Sequence, residues 1–507
     1  MTRRRPETRL ICPLTAPDVA SMRRAMDEAA ALGADAVELR LDYLRQPPDE
    51  GQLKSLLDAP PLPTIVTCRP VAEGGRFEGD EGRRLRVLHE AARLGCDWVD
   101  VELSVPPGER PRGRIILSHH DFDRCPDDLE RIAARLDASQ PAVSKVAFAA
   151  AGPEDAFRAF DVLRAAARPA IALAMGEAGL ISRILAAKFG AFGTFAAPAA
   201  GAESAPGQPT VREVRDLYRW ETINENTSVF GVVGCPVAHS MSPAIHNAAF
   251  AAAGIDAVYV PLLIQPGAEN FNRFMDALLD RPWMDWRGLS VTIPHKENAL
   301  AYIGEGHCDP LARRIGAVNT VTIDSRAALR GDNTDYAAAL DALCAAMGIA
   351  REDLAGRSVA VLGAGGAARA IVAALAHYGA DVTIYNRTVS RGERLAEEFG
   401  CRAAGRDALD TLDAEIVINC TPIGMHPDID RSPLETIPPC VKVVFDTIYN
   451  PVETLLLRTA RRQGCACVAG LEMFVSQAVA QFETWTAQRA PRDVMRNVVL
   501  RRLATDG

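Results

Sequence analysis

Lys145 sits in Ala142-Val-Ser-Lys-Val-Ala-Phe-Ala149, an otherwise apolar run of strand length. Burial disfavours the charged form of an amine, and a neutral amine attacks a carbonyl carbon to make a Schiff base. The ordinary alternative is a lysine that snorkels from a strand end or pairs with a carboxylate. Other residues suited to the same chemistry fall near the ends of predicted strands in the first 220 residues: Glu38, Arg40, Arg69, Glu73, His120, Arg183, Ser204 and Gln208. Singly, each has a plain reading, with Arg183 as a helix-capping cation, His120 as a hydrogen-bonded core histidine and Glu73 as a solvated loop carboxylate.

Two more groups lie downstream. Ser358-Val-Ala-Val-Leu-Gly-Ala-Gly-Gly-Ala-Ala-Arg369 reads as a strand, a glycine turn and the start of a helix, with Gly363, Gly365 and Ala368 at the G-x-G-x-x-A positions. Such a turn, here including Gly366 and Ala367, lets backbone approach a pyrophosphate at a helix N-terminus, although glycine turns also form for conformational reasons alone. The next predicted strand, Ala380-Asp-Val-Thr-Ile-Tyr385, ends in Asn386-Arg387-Thr388 and not in an acid. A guanidinium there matches a ribose 2′-phosphate, which favours NADP(H) over NAD. Lys296 and Asp335, from separate loops, supply a possible acid/base pair, although either residue type is more often a surface charge.

The elements that must position these groups alternate between strand and helix. Apolar runs begin at Leu10, Ala36, Thr64, Trp98, Arg114, Val143, Ala170 and Phe192, with amphipathic helices such as Asp18 to Leu32 and Asp155 to Ala167 between them. Eight βα repeats in about 220 residues predict a (β/α)8 barrel, whose chemistry gathers at the C-terminal ends of the strands. Glu38 and Arg40 are placed at the end of strand two, His120 after strand five and Lys145 at the end of strand six. The chain turns polar at 222–227, so residues 1–224 and 225–507 are predicted as separate domains. The second is a two-lobed α/β fold: 228–335 plus a C-terminal helix over about 472–503, and a Rossmann-type lobe over 350–470.

The composition bounds the partners. With 48% hydrophobic and 24% charged residues the 507-residue chain reads as globular, and a formal charge of −9 gives no reason to expect nucleic acid or an anionic membrane. Small soluble substrates fit better. Twelve scattered cysteines and nine histidines show neither a disulfide framework nor metal-ligand spacing, so a reducing cytoplasm and no metal are expected. The basic start, Met1-Thr-Arg-Arg-Arg-Pro6, lacks the apolar core of a signal peptide, and no apolar stretch is long enough to span a bilayer.

Residues 9–220 resemble type I 3-dehydroquinate dehydratase. The marks are Glu38-Leu-Arg40, Arg69-Pro-Val-Ala-Glu73-Gly-Gly75, Ser118-His-His-Asp-Phe122, Val143-Ser-Lys145, Met175-Gly-Glu-Ala-Gly-Leu-Ile-Ser-Arg183 and Ser204-Ala-Pro-Gly-Gln208. The resemblance implies that Lys145 forms an imine with the C3 ketone of 3-dehydroquinate and that His120 takes the C2 proton and assists loss of the C1 hydroxyl. Glu73 would orient His120 and Arg183 would clamp the carboxylate, with Glu38, Arg40, Arg69, Ser204 and Gln208 as ring-hydroxyl and carboxylate contacts.

From about residue 228 onward the chain resembles shikimate dehydrogenase. Here the marks are Gly234-Cys-Pro-Val-Ala-His-Ser-Met-Ser-Pro243, Val291-Thr-Ile-Pro-His-Lys296, Gly316-Ala-Val-Asn-Thr320, Asn333-Thr-Asp335, Asn419-Cys-Thr-Pro-Ile-Gly-Met425, Asp446-Thr-Ile-Tyr-Asn-Pro451 and Gln477. By this resemblance Lys296 and Asp335 move the proton at the C3 oxygen while NADPH delivers hydride. Ser240 and Ser242 would hold the carboxylate, and Thr292, Asn319, Asp335 and Gln477 the ring hydroxyls, with Tyr449 nearby. Asn386, Arg387, Thr388, Thr421 and Met425 would border the cofactor.

Ser290 departs from the asparagine usual in single-domain bacterial enzymes and resembles the fused plant enzymes. The resemblance also implies that the hydroxyls of Ser242 and Thr292, which quinate-oxidising relatives tend to lose, favour shikimate over quinate as substrate. Together the two halves imply consecutive reactions, dehydration and then reduction of its product. The competing enzyme reading, a class I aldolase-like barrel joined to a quinate or amino-shikimate dehydrogenase, does not account for Arg183 and the Ser204-to-Gln208 pattern. Replacing the predicted phosphate contact, Arg387→Ala, is expected to raise the KM for NADPH by tenfold or more, the order of one lost charge-assisted contact at about 1.4 kcal/mol per decade, and to leave that for NADH nearly unchanged. Steady-state kinetics with both cofactors checks this.

Overall fold

The computed structural model describes residues 8–505. The basic run Met1–Pro6 lies outside the described residues. Compactness divides the chain into one unit made of residues up to Pro243 with Asp256–Trp286, and a second made of Ala244–Ile255 with Arg287 onward. No helix among the described residues is long and apolar enough to cross a membrane.

The first unit begins with β1 (Arg9–Leu14), α1 (Val19–Leu32), β2 (Ala36–Arg40), α2 (Glu50–Leu57), β3 (Thr64–Thr67), α3 (Glu81–Arg93), β4 (Trp98–Glu102) and β5 (Ile115–Asp121). It continues through α4 (Leu129–Ala138), β6 (Val143–Ala149), α5 (Pro153–Ala165), β7 (Ala170–Met175), α6 (Leu180–Ile184) and β8 (Gly193–Phe195). All eight strands are parallel, in the order β7-β6-β5-β4-β3-β2-β1-β8, which is the sheet of a (β/α)8-like barrel. Helix starts are set by short acids: Asp18 accepts the Ser21 N–H, Asp80 accepts the Arg83 N–H, and Asp49 makes a capping box with Gln52.

Because side chains alternate along a strand, residues two apart share a face. One such face carries Ile11, Ala36, Ile65, Trp98, Ile116, Val143 and Ile171, packed as a single apolar cluster. Two residues further along the same strands, and therefore on the same interior side, come Glu38, Thr67, Asp100, Ser118, Lys145 and Leu173. This face of the sheet is thus apolar at one level and charged at the next. Two predicted strand ends need correction. β5 runs to Asp121 and β6 to Ala149, paired through His119↔Val146, His120↔Ala147 and Asp121↔Phe148, so His120 lies within its strand and Lys145 is the third residue of β6. Polar side chains do not interrupt a ladder made of backbone bonds.

The same unit continues into β9 (Ser228–Gly234), then, past the start of α7 (Ser242–Ala253), into β10 (Ala257–Leu263) and α8 (Ala268–Leu279). β9 and β10 pair in parallel from Ser228↔Ala257 to Gly234↔Leu263. α8 lies against α5: Phe157 meets Phe274 at 5.8 Å and Trp286 at 6.3 Å, and Arg281–Asp161 and Arg273–Glu154 pair at 2.7 and 2.6 Å. Lys188 donates to the carbonyls of Glu225 and Thr227 at 3.1 and 2.7 Å, which holds the connecting segment. This packing is why the compact unit passes the boundary at 224/225 read from composition.

In the second unit β11 (Trp286–Val291), α9 (Lys296–Ile303), α10 (Pro310–Ile315), β12 (Thr320–Ile323), β13 (Leu329–Asp332) and α11 (Thr334–Met347) come first. β11, β12 and β13 pair antiparallel. Next come β14 (Ser358–Leu362), α12 (Gly366–His377), β15 (Asp381–Asn386), α13 (Val389–Phe399), β16 (Arg402–Gly405), β17 (Ile416–Asn419), β18 (Val443–Asp446), α14 (Leu455–Arg462) and β19 (Ala466–Ala469). They form a parallel sheet of order β16-β15-β14-β17-β18-β19, a Rossmann-type lobe with cores on both faces.

The predicted single C-terminal helix is two, α15 (Gly470–Thr486) and α16 (Arg492–Thr505). Ala487 takes a left-handed conformation, φ 53°, and Pro491 has no N–H to continue the ladder. α15 packs along α11, and its Trp485 donates to the Val321 carbonyl at 3.1 Å. All twelve cysteines are free. Phe157, fully buried between α5 and α8, tests the packing of the first unit. Phe157→Ala is expected to cost about 3–5 kcal/mol, read as a lowered denaturation midpoint of the full chain.

Candidate active sites

The first site occupies one end of the eight-stranded sheet. A pocket of about 470 Å³, open at its mouth, is lined by Glu38, Arg40, Arg69, Glu73, His120, Lys145, Arg183, Ser204 and Gln208. All nine residues singled out in this half therefore meet at one cavity. Lys145 is 5% exposed and lies 4.5 Å from the centre of the Phe195 ring. It is not an isolated amine, however: Nζ donates to Asp100 Oδ2 at 2.8 Å and lies 3.6 Å from Glu38 Oε1. The strands thus bring two carboxylates to the amine.

Asp100 and its neighbour on the same face, Glu102, were not singled out by sequence. Both are carboxylates in the apolar strand Trp98-Val-Asp-Val-Glu102, the same signal that marked Lys145. Arg69 binds both, Asp100 and Glu102 each at 2.6 Å, and also Ser118 Oγ at 2.8 Å. Burial pushes the Asp100 carboxyl up, but Arg69 and Lys145 outweigh it and hold it well below the ordinary carboxylate range.

His120 and Glu73 form a dyad, with Nδ1 3.0 Å from Oε2. A tight turn brings Glu73 there: Phe77 N–H donates to the Arg69 carbonyl, and Gly75 packs so closely on it that a Cβ would fall 2.0 Å from that oxygen. Burial, reinforced by the cations Arg69 and Lys145, holds the His120 imidazole well below its ordinary pKa. Burial pushes Glu73 up to about 7, against the pull of Arg69. The imidazole is therefore neutral and able to accept a proton at neutral pH.

Arg183 stands apart from these pairs. It is 1% exposed, meets no carboxylate among the described residues, has a buried Nε without a partner, and reaches only the Phe195 carbonyl at 3.4 Å. Burial lowers its pKa to about 10. Ser182 anchors its short helix to β7 by accepting the Ala174 N–H at 2.9 Å. An unpaired buried guanidinium facing a pocket calls for an external anion. Arg40, by contrast, is engaged by Asp42 through two bonds of 2.9 and 2.7 Å. Ser204 N–H donates to Gln208 Oε1 at 2.9 Å, which leaves the buried Gln208 Nε2 without a partner.

In the second unit Lys296 Nζ and Asp335 Oδ2 meet at 2.5 Å. Lys296 opens α9, and Asp335 sits in the first turn of α11, where Asn333 Oδ1 accepts its N–H at 3.1 Å. Asn319 is buried against the same helix start, accepting the Thr334 N–H at 2.7 Å. Ser290 donates to Gln481 Oε1 at 2.7 Å, and Gln481 Nε2 reaches Thr320 Oγ1 at 3.1 Å. Gln481, a polar residue on an otherwise apolar helix face, was missed in the sequence. Tyr449 stacks on Phe474 at 4.6 Å, and Gln477 Nε2 donates to the Phe474 carbonyl, so these two predicted ligands share one neighbour. Thr292 follows β11, half-buried, and its carbonyl accepts the His295 N–H at 2.9 Å. Ser240 and Ser242 lie in the first unit, where Ser242 N–H donates to Ser240 Oγ at 3.3 Å.

The glycine turn ends β14. Gly363 has φ 108° and packs against the Cys420 carbonyl and Thr421, while Gly365 caps α12 and a Cβ on Gly365 or Gly366 would meet open space. Ala367 is exposed beside them, and Ala368 is buried. Gly363 N–H donates to the Tyr385 carbonyl at 2.8 Å, so Asn386, Arg387 and Thr388 emerge beside the turn. Asn386 Nδ2 donates to the Thr388 carbonyl at 2.8 Å. Arg387 is exposed and pairs with no carboxylate among the described residues. Thr421 Oγ1 donates to Asn419 at 2.7 Å, and Met425, further along that loop, is 46% exposed. A dinucleotide fits this arrangement: the amides at the start of α12 are clear, and an exposed cation, Arg387, follows the neighbouring strand.

Comparison with known proteins finds family matches along both halves of the chain. Residues 10–225 match the family described as Type I 3-dehydroquinase, 232–321 the Shikimate dehydrogenase substrate binding domain, 346–445 Shikimate / quinate 5-dehydrogenase and 470–500 the Shikimate 5'-dehydrogenase C-terminal domain. The chain is 39% identical to the bifunctional 3-dehydroquinate dehydratase/shikimate dehydrogenase, chloroplastic, of Arabidopsis thaliana, across 96% of this chain and 83% of that one. Over 54% of its length it is 41% identical to the shikimate dehydrogenase (NADP(+)) of Methanosarcina acetivorans, 98% of which is covered. Among solved structures it is similar to shikimate 5-dehydrogenase from Thermus thermophilus in complex with NADP(H) and shikimate, at 35% identity, TM-score 0.47, covering 54% of this chain and 99% of that one. One polypeptide thus carries a parallel sheet of the (β/α)8-like kind and a dinucleotide-binding dehydrogenase. The chain belongs to the family of bifunctional 3-dehydroquinate dehydratase/shikimate dehydrogenases.

The strained ionisation of Glu73 has a consequence for stability. Its folded pKa, about 7, lies above its ordinary value of 4.5, so the carboxyl binds its proton more tightly when folded. Stability it contributes in the protonated state is lost as pH rises from about 4.5 to about 7. Glu73→Gln cannot ionise, so the variant is expected to gain melting temperature over the parent across that interval and to match it in the shift at lower pH, as thermal melts from pH 4 to 8 would show.

Proposed function

We propose that this chain catalyses two consecutive steps of the shikimate pathway, dehydration of 3-dehydroquinate to 3-dehydroshikimate and NADPH-dependent reduction of that product to shikimate. The observation that carries the first step is a buried lysine and a buried, unpaired Arg183 on the same pocket. Lys145 attacks the C3 ketone, and loss of water gives the imine. His120 removes the C2 proton, whose electron pair flows into the imine. The C1 hydroxyl then leaves as water with a proton from His120, and hydrolysis of the imine frees Lys145 and the enone. Glu73, accepting the Nδ1–H, keeps the base oriented. Arg183 takes the substrate carboxylate, and Glu38, Arg40, Arg69, Ser204 and Gln208 take its other polar groups.

For the second step, bound NADPH supplies a hydride. Lys296 and Asp335 move the proton at the C3 oxygen, Thr292, Asn319 and Gln477 take the ring hydroxyls, Tyr449 borders the ring, and Ser240 and Ser242 are assigned to the carboxylate. Gly363, Gly365, Gly366 and Ala367 receive the pyrophosphate, Asn386, Arg387 and Thr388 the 2′-phosphate end, and Thr421 and Met425 the rest of the cofactor. We assign dehydration to residues 1–224 and reduction to 225–507. We also take the barrel as closed between β7 and β8, supported by the Phe192 N–H donated to the Ala170 carbonyl at 2.7 Å.

The test is direct. With 3-dehydroquinate and NADPH supplied together, shikimate should form as cofactor absorbance falls. Borohydride added with 3-dehydroquinate should leave a reduced adduct on the peptide carrying Lys145, and His120→Ala should lower dehydration by about 10²–10⁴-fold. An active preparation with no adduct at Lys145 refutes the imine mechanism.

A further inference from the structure

A chain of alternating buried charges runs away from the reactive amine and out of the pocket. Lys145 pairs with Asp100 at 2.8 Å, Asp100 with Arg69 at 2.6 Å, Arg69 with Glu102 at 2.6 Å, and Glu102 with Arg84 at 2.7 Å. Arg84 belongs to α3, on the outside of the sheet, yet it is 1% exposed. It also donates to the Cys68 carbonyl at 2.9 Å and to Glu81, which is largely exposed, at 2.8 and 2.6 Å. Arg84 does not line the pocket and has no part in the chemistry given above.

We infer that Arg84 and Glu102 are positioning residues for the dehydration step, holding Arg69 across Asp100 and keeping the negative charge next to the Lys145 amine balanced. This inference rests on the dehydratase reading above. Arg69 spends one terminal nitrogen on Glu102 and the other on Asp100. Without Arg84, Glu102 keeps a buried carboxylate with one cation in place of two, and it draws Arg69 toward itself and away from Asp100. Both carboxylates then bear on the amine, which must shed a proton before it can attack. The charge on Glu102 does reach the pocket, since it is among the charges that raise Glu73.

Other charges face the amine as well. Glu38 and Arg40 approach from β2, Arg69 and Glu73 from the turn after β3, and Asp100 from β4. His120 faces it from β5 and Arg183 from α6. None of these residues is itself substituted in an Arg84 variant, so a change in the pH dependence of imine formation reports on the loss of the remote pair.

The measurement is the rate of borohydride-trapped adduct formation with 3-dehydroquinate, followed from pH 6 to 9 in the full chain. Arg84→Met is expected to slow trapping by about tenfold at pH 7 and to move the profile about one pH unit upward, the equivalence of one decade and one unit. Arg84→Lys, which restores a cation, should recover most of that displacement. Arg84→Met combined with Glu102→Gln removes both charges and should return the profile toward that of the parent; this variant decides the matter if Arg84→Met alone does not fold, as shikimate oxidation and thermal melts on the same samples would reveal. A profile for Arg84→Met that superimposes on the parent's, with only the melting temperature lowered, overturns the inference, and so does a double variant as displaced as the single one. An adduct on the parent chain establishes the imine reading independently of how the variants behave.

Discussion

The ion pair between Lys145 and Asp100 is the interaction on which the first site depends. A lysine and an aspartate buried on the inner face of the sheet are each costly alone, and together they are tolerable only if every remaining charge and hydrogen-bonding group nearby is matched. The matching explains Arg69, which spans Asp100, Glu102 and Ser118, and Arg84, which spans Glu102 and the surface. It also explains the exception. Among the cations lining the pocket, Arg40, Arg69 and Lys145 each have a carboxylate, and Arg183 meets none among the described residues.

Beside that network the His120–Glu73 dyad shows one environment acting oppositely on two groups. Desolvation and the neighbouring cations favour the neutral imidazole, while desolvation, joined by the charges of Glu102 and Asp100, pushes the carboxyl up and Arg69 opposes it. The result is a base whose lone pair is available at neutral pH, next to a carboxyl that titrates in the same range. In the dehydrogenase half the polar system is organised differently. Lys296 and Asp335 are more open to solvent, and the buried order lies behind them, in the bonds linking Ser290, Gln481, Thr320, Asn319 and Thr334 to the start of α11. Ser290 is turned toward the C-terminal helix, and the short side chain at this position leaves room for Gln481 to reach the sheet.

Much of the architecture was legible because the relevant signals are local. Strand-length apolar runs, the helix beginning at Asp18 and the glycine turn at Gly363 each depend on a few adjacent residues, and the helix and the turn formed where they were expected. Errors came where local pattern competes with longer-range packing. β5 and β6 extend because their partners continue the ladder, and the C-terminal helix breaks at Ala487 because the chain turns there to run on as α16. The polar segment at 222–227 does fall at the division between the family matches, 10–225 and 232–321, while packing among Phe157, Phe274 and Trp286 carries the compact unit past it.

For the candidate site the division is equally physical. The order of residues along the chain determined which chemical groups exist, on which strand each falls and, through the two-residue period, which of them share the interior face. Glu38, Asp100, Ser118 and Lys145 follow from that alternation alone. What only the tertiary structure decided is which charges become partners. Contact between β4 and β6, or between α3 and β4, depends on sheet order and on side-chain reach in three dimensions, so neither the counter-ion of Lys145 nor the solitude of Arg183 is written in any stretch of residues.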